Sequence, residues 1–361
     1  MRYRDCMIVL TLLKSCLAKT GRALDLVRNA DELIAGPIAW KTVILTLAIG
    51  ILIGPAIAPG YAVGPLSSVG ASAASAPTSA GSSKEMRDDQ EWRDDRAKSL
   101  SGPEGWLTLV GLEWLKPGKN SIGLAADNSI VLKGTAPSHL GIIDVEGGKL
   151  TLVAPAGGFP KFLYVDGKPA KEGPLTSDDT KASVLSTDNL TLAVLHRGDR
   201  FALRIKDSQA ATRTSFKGLH WYPLQPQYRI TAKWIPWVPA HTVKIPTIIG
   251  TTLDMPAPGL AEFTVNGQTI QLEPVLEDPN SKELFFILRD ATSHTTTYEA
   301  ARFLYSAFPD NGLDKPGTVV LDFNRLQNPP CAYTPYATCP LPPFENRLAI
   351  SIPAGEERYS H

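Results

Sequence analysis

The 361-residue chain has no charge excess, with 36 basic side chains against 36 acidic ones. That balance gives no electrostatic reason to expect nucleic acid as a partner. Cysteine is scarce, with four in the whole chain, and no CxxC pair or Cys/His cluster has zinc spacing. No metal site is therefore expected. A phosphate-cradling glycine loop, a dinucleotide fingerprint and a GxSxG elbow are also missing, so the sequence calls for no cofactor. Long apolar runs are lacking except for one near the N-terminus, which excludes a multi-span membrane protein. Hydrophobic residues at 43% exclude disorder throughout.

The one apolar run is Thr42 to Ala58, 17 residues, inside a stretch from Thr42 to Ser83 that carries no charge at all. Residues 1–41 hold seven Lys/Arg against four Asp/Glu, a positive flank that predicts export of the chain beyond the apolar run. Two readings stand. Residues 42–59 are a cleaved signal, with small-residue sites at Ala56-Ile57-Ala58 and Ala71-Ser72-Ala73, or they are an uncleaved inner-membrane anchor. Residues 1–41 are long for a signal front and are either a cytoplasmic extension or the product of a start assigned too early. Residues 60–83, rich in Ser, Ala and Gly, read as a flexible linker. Residues 84–100 mix both charge signs and read as a solvated helix capped by Ser83, with Trp92 as its one large apolar anchor.

The remainder predicts a mainly β fold in two modules. Gly (29) and Pro (30) are abundant, and the prolines gather after residue 217, which disfavours long helices there. Residues 101–216 show short apolar or alternating runs closed by turn signals: Trp106–Glu113, Ser129–Lys133, Gly141–Val145, Leu150–Ala154 and Phe162–Val165. Leu190–His196 and Phe201–Lys206 around Gly198-Asp199 form the clearest hairpin, and the spacing predicts a β-sandwich. Residues 217–361 add strands at Tyr228–Ile235, Ala261–Val265, Gln268–Leu272, Leu284–Leu288, Arg302–Ser306, Thr318–Asp322 and Leu348–Ile352.

Two resemblances rest on particular residues. The run from Leu115 to Gly123, with Tyr164-Val165-Asp166-Gly167-Lys168-Pro169, resembles forkhead-associated domains over roughly residues 110–206. Leu124 stands where that family has an arginine, so the resemblance implies a shape and not phosphothreonine reading. Leu284 to Ser293, Arg302-Phe303-Leu304, Leu321 to Arg325, and the run Asn328 to Pro343 resemble the bacterial domain of unknown function 1684 family. Trp106 to Leu115 is similar to its front signature, so the likeness covers about residues 90–360. It implies no established activity.

Residues 329–343 hold six prolines, Cys331, Cys339, Tyr333 and Tyr336. Such a segment is stiff before a ligand arrives, so it serves as a loop covering a sheet edge or as one wall of a pocket; a third reading is redox exchange at the cysteines, against which stands the lack of a CxxC or an adjacent base to lower a thiol pKa. An exported compartment and the short separation predict a Cys331–Cys339 disulfide. Asp290, Thr292, Ser293, Arg302, Asn324, Arg347 and Tyr333 are the candidate ligand-binding residues, since Arg forks suit carboxylate or phosphate. Asp290–Arg302 reads equally as a structural ion pair. The expected role is binding of a small polar or anionic ligand, or of an envelope protein, through the C-terminal module. The alternative is an envelope hydrolase built on Asp290 and its neighbours, with Asp322 as a second carboxylate; Ser293 lacks a base, because His294 beside it points elsewhere in an extended segment.

Overall fold

The computed structural model describes residues 79–360 apart from Asn266, and the anchor or signal at 42–59 lies outside them. Among the described residues no helix is long and apolar enough to cross a membrane. The fold is mainly β.

The first helix, α1 (Ser79–Ser101), already runs at Ser83, so Ser83 is no cap. Nor is the helix merely solvated. Asp89, Arg93 and Leu100 are buried, and with Arg96 they form one stripe at helical spacing. Asp89 accepts from Arg325 Nε at 2.7 Å, and Arg96 Nη2 donates to Asn328 O at 2.9 Å. Arg93 lies 4.7 Å over the Trp221 ring, which also meets Trp92 edge-on at 5.7 Å. The docking stripe is therefore charged, which an apolar-periodicity reading cannot see.

Residues 109–207 form two sheets over one core. The strands are β1 (Leu109–Trp114), β2 (Gly118–Gly123), β3 (Ile130–Val131), β4 (Gly141–Glu146), β5 (Lys149–Val153), β6 (Tyr164–Val165), β7 (Lys168–Pro169), β8 (Gly173–Leu175), β9 (Val184–Ser186), β10 (Leu190–Arg197) and β11 (Arg200–Asp207). One sheet runs β1-β11-β10-β9-β6-β7 and the other β3-β2-β4-β5-β8. Ile122, Ile143 and Leu152 from one sheet meet Leu185, Leu192, Leu203 and Ile205 from the other. Strand β11 shows why: Phe201, Leu203 and Ile205 point into this core, so Arg200, Arg204 and Lys206 point away from it.

The second set of strands is β12 (Arg229–Pro246), β13 (Thr252–Val265), β14 (Gln268–Leu272), β15 (Glu283–Leu288), β16 (Arg302–Ala307) and β17 (Gly317–Asp322). Strands β14-β13-β12-β17 form an antiparallel sheet, and β15 pairs with β16. Strand β12 is far longer than Tyr228–Ile235 because it continues past a register shift between Pro236 and His241. The Leu284–Leu288 run is apolar throughout because both faces of β15 are covered. Leu284, Phe286 and Leu288 pack on the four-stranded sheet, and Phe285 and Ile287 pack toward the first module. Leu348–Ile352 is not a strand. It crosses as an irregular strap, with Leu348 N donating to Arg289 O and Ala291 N to Ile350 O, both at 2.8 Å.

Candidate functional site

Four of the sequence-selected residues converge, but into a closed knot. Arg302 opens β16 with side-chain exposure of 1%, and its partner Asp290 has none. Arg302 Nη1 donates to Asp290 Oδ2 at 2.7 Å and to Ile352 O at 2.9 Å, and Nη2 donates to Ala354 O. Asp290 Oδ1 accepts from Thr292 N at 2.7 Å and Thr292 Oγ1 at 2.6 Å. Ser293 is fully buried, its Oγ facing Asp290 N at 3.4 Å. His294 turns to Arg289, 3.2 Å away, so Ser293 has no base beside it. This knot ties the 346–356 strap to β15 and β16, with Asp290 and Arg302 bonded to each other and to the backbone.

The other three are elsewhere. Asn324 accepts from Gln225 N and donates to Gln225 O, both at 3.0 Å, which commits its amide to the backbone. Arg347 is exposed and donates to Pro342 O. Tyr333 is buried and donates its hydroxyl to Glu356. Asp290 and Asp322 are held by different arginines, Asp290 Oδ2 by Arg302 Nη1 at 2.7 Å and Asp322 Oδ2 by Arg229 Nη1 at 2.6 Å.

The 328–343 segment does line a pocket. A cavity of about 620 Å³ opens between the two modules. Asn328, Pro330, Thr338, Cys339 and Pro340 supply one wall. Phe285, Phe303 and Tyr305, from the β15–β16 face turned toward the first module, supply an aromatic wall. Trp106, Arg197 and Arg204 come from the sandwich, and Arg96 from α1. The segment is fixed at both ends: Thr334 Oγ1 donates to Leu109 O at 3.0 Å, and Leu341 N to Pro246 O at 2.7 Å.

The three arginines differ in what they already hold. Arg197 pairs with Asp178 Oδ2 at 2.8 Å and reaches Thr338 Oγ1 at 3.5 Å. Arg96 holds Asn328 O and lies 3.6 Å from Glu356 Oε2. Arg204 makes no hydrogen bond among the described residues, and its Nε, like those of Arg93, Arg96 and Arg302, is buried and unpaired. Its nearest aromatic neighbour is the Trp106 ring, 5.3 Å from its guanidinium carbon. Burial, then the neighbouring Arg197 charge, pulls the Arg204 pKa down, so the protein does not fully compensate this cation. An anion in the cavity would.

The remaining polar groups point the same way. Tyr305 and Glu277 share a hydrogen bond, and desolvation raises both their pKa values. The Cys339 thiol is raised too, first by its hydrogen bond to Cys331 and then by burial, which is the wrong direction for a nucleophile. The expected bridge is not formed: Cys331 and Cys339 are both free, with Cys331 N donating to Cys339 Sγ at 3.2 Å. Among the described residues no cluster of His, Cys, Asp or Glu is arranged to hold a metal ion.

Arg96, Trp106, Arg197, Arg204, Glu277 and Tyr305 were not singled out by sequence. A signal existed for Arg204: in Arg200–Lys206 every second residue is apolar, and the alternate face carries three cations.

Comparison with known proteins adds one family. Residues 214–357 match the model of the family described as Protein of unknown function (DUF1684). The DUF1684 stretch contains the Asp290–Arg302 knot and the cysteine-bearing wall, and it stops short of the Trp106–Leu115 run. Among solved structures, the chain is similar to the solution NMR structure of an uncharacterized protein of Haloarcula marismortui. The identity is 27%, over 40% of this chain and 78% of that one, with a TM-score of 0.35. No curated protein matches. The forkhead-associated likeness is not confirmed; what stands is a pair of packed sheets.

Proposed function

We propose that this protein binds a small anionic ligand with an apolar body in the pocket between its two modules. One observation carries the reading: Arg204 is a half-buried cation with no hydrogen-bond partner, set beside Arg197 and Arg96 and facing aromatic walls. An unpaired desolvated charge is costly by itself, and a carboxylate or phosphate accepting from its fork removes that cost. Phe285, Phe303 and Trp106 suit the apolar remainder of such a ligand. The alternative, an envelope hydrolase built on Asp290, would have to use a carboxylate that already bonds Arg302 and Thr292.

The test is differential scanning fluorimetry with benzoate and phenyl phosphate, against neutral benzyl alcohol. Either anion raises the melting temperature of the parent protein and leaves Arg204→Gln unmoved. Equal shifts in both proteins refute the reading. We also propose that residues 60–361 lie outside the cytoplasm, as an exported or inner-membrane-tethered protein. The support is the charge-free 42–83 stretch behind a positive flank. A periplasm-active reporter fused after Ser83 is expected to be active; activity of a cytoplasmic reporter alone ends that part of the proposal.

A further inference from the structure

The DUF1684 stretch carries two thiols in contact on a stiff segment, and the ligand reading uses neither. Cys331 and Cys339 are eight positions apart, yet Cys331 N donates to Cys339 Sγ at 3.2 Å, and the Cys339 thiol is the first influence on the acidity of Cys331. Their surroundings differ. Cys339 is 4% exposed and lines the arginine pocket. Cys331 is half-buried and lines a separate cleft of about 320 Å³ with Tyr298, Glu299 and Arg358. The contact is imposed by the fold rather than by the thiols. Ile248 N donates to Cys339 O at 2.9 Å, and Tyr298 Oη donates to Cys331 O at 3.1 Å.

We propose that Cys331 and Cys339 are a reversible dithiol–disulfide site, with Cys331 as the attacking thiol and Cys339 as the resolving one. The division of labour follows from access, since a solvent-borne oxidant meets Cys331 through its cleft. It is supported by acidity: the Cys339 thiol beside it lowers the Cys331 pKa, against the opposing effect of burial. The oxidant is a small disulfide. The Cys331 thiolate attacks one of its sulfurs, the oxidant's S–S bond breaks, and one small thiolate leaves and takes a proton from solvent. Cys339 then loses its proton to solvent and attacks the Cys331 sulfur of the mixed disulfide, expelling the second small thiol. Two protein thiols are oxidised and one disulfide is reduced to two thiols. The new bond closes a ring within the pocket wall, so oxidation ties the wall at Cys339 to the cleft at Cys331.

This inference is independent of the ligand reading, because its readout is the mass of one peptide. Trypsin releases both cysteines together in Leu326–Arg347, which has no internal Lys or Arg. The full chain is equilibrated with oxidised glutathione, alkylated, digested and weighed. The expected result is a peptide lighter by two hydrogens and unalkylated, which regains two alkyl groups after reductant. Cys339→Ser is expected to hold one glutathione at Cys331, whereas Cys331→Ser holds none at Cys339. Two alkylated thiols after equilibration overturn the proposal, as the same peptide from urea-unfolded protein controls for reagent strength. Glutathione captured at Cys339 in preference to Cys331 overturns the assignment of roles. The wild-type measurement stands without either variant.

Discussion

Replacing Arg302 by alanine tests whether the buried Asp290–Arg302 cluster is architecture or site. Arg302 is wholly buried and makes three hydrogen bonds, to Asp290 Oδ2, Ile352 O and Ala354 O. Alanine leaves Asp290 without its counter-charge, in a position where the carboxylate has no exposure. Thr292 still donates two bonds to Oδ1, so the loss is one ionic partner and the donors to two carbonyls. Removing one member of a buried pair costs roughly 3–5 kcal/mol, most of it from the stranded charge. Phe286→Ala supplies the ruler: Phe286 is 0% exposed, and deleting a buried phenyl costs about the same, roughly 3–5 kcal/mol.

Urea unfolding of Arg302→Ala, Phe286→Ala and the parent, followed by tryptophan fluorescence, makes the comparison. Arg302→Ala is expected to fall alongside Phe286→Ala. The pair Arg302→Met with Asp290→Asn is expected to recover part of the loss, since both charges then leave together, with a coupling of about 1–3 kcal/mol. A cost below about 1 kcal/mol for Arg302→Ala, with ligand binding lost, refutes the reasoning and returns Arg302 to the site.

Three further outcomes are expected. Glu356 is fully buried and desolvation pushes it up to about 7 from its ordinary 4.5, so the folded state holds its proton more tightly than the unfolded chain. Its contribution is therefore full below pH 4.5 and is lost as pH rises through 7, a decline on the order of 3 kcal/mol that Glu356→Gln flattens in urea titrations across that range. Gly259→Ala places a methyl 2.6 Å from both Ile235 O and the Trp234 ring and is expected to destabilise by about 1–3 kcal/mol in the same assay, a neutral result contradicting the β12–β13 packing. Arg204→Gln is expected to unfold within about 0.5 kcal/mol of the parent or above it, because it removes an uncompensated cation; a large loss makes Arg204 structural.

The strands were legible where one face decided them. Leu190–His196 and Phe201–Lys206 carry alternation and a Gly-containing turn, and they pair as that pattern predicts, from Leu190↔Asp207 to Arg197↔Arg200. Leu348–Ile352 has strand composition but makes its hydrogen bonds singly, to Arg289 and the 290–291 turn, so composition misled there. The helix 79–101 was legible as a helix and illegible as a packed one. Its inner stripe of Asp89, Arg93 and Arg96 is satisfied by Arg325, Asn324 O and Asn328 O, partners more than 200 residues away that no local pattern announces. The pocket divides likewise. Its proline-stiffened wall is local and could be read, whereas the arginines opposite arrive through the docking of separate modules.

That division explains why the conspicuous polar residues of the C-terminal half are largely bonded to one another and to the backbone. Polar side chains clustered in sequence at strand ends are close enough to satisfy one another, as Asp290, Thr292 and Ser293 do, and a satisfied group has little left to offer a ligand. Burying charge demands such compensation: Asp89 has Arg325, Asp322 has Arg229, Glu356 has Arg96, and Asp290 has Arg302. The buried Nε atoms of Arg93, Arg96, Arg204 and Arg302 all lack a partner, and of these four Arg204 is the one with no other hydrogen bond among the described residues. Stability cannot be its reason, because an apolar residue beside Trp106 would cost less there. Among the described residues only Asp178, Cys339 and the Trp106 ring favour the Arg204 cation, so the proposed ligand is expected to carry negative charge.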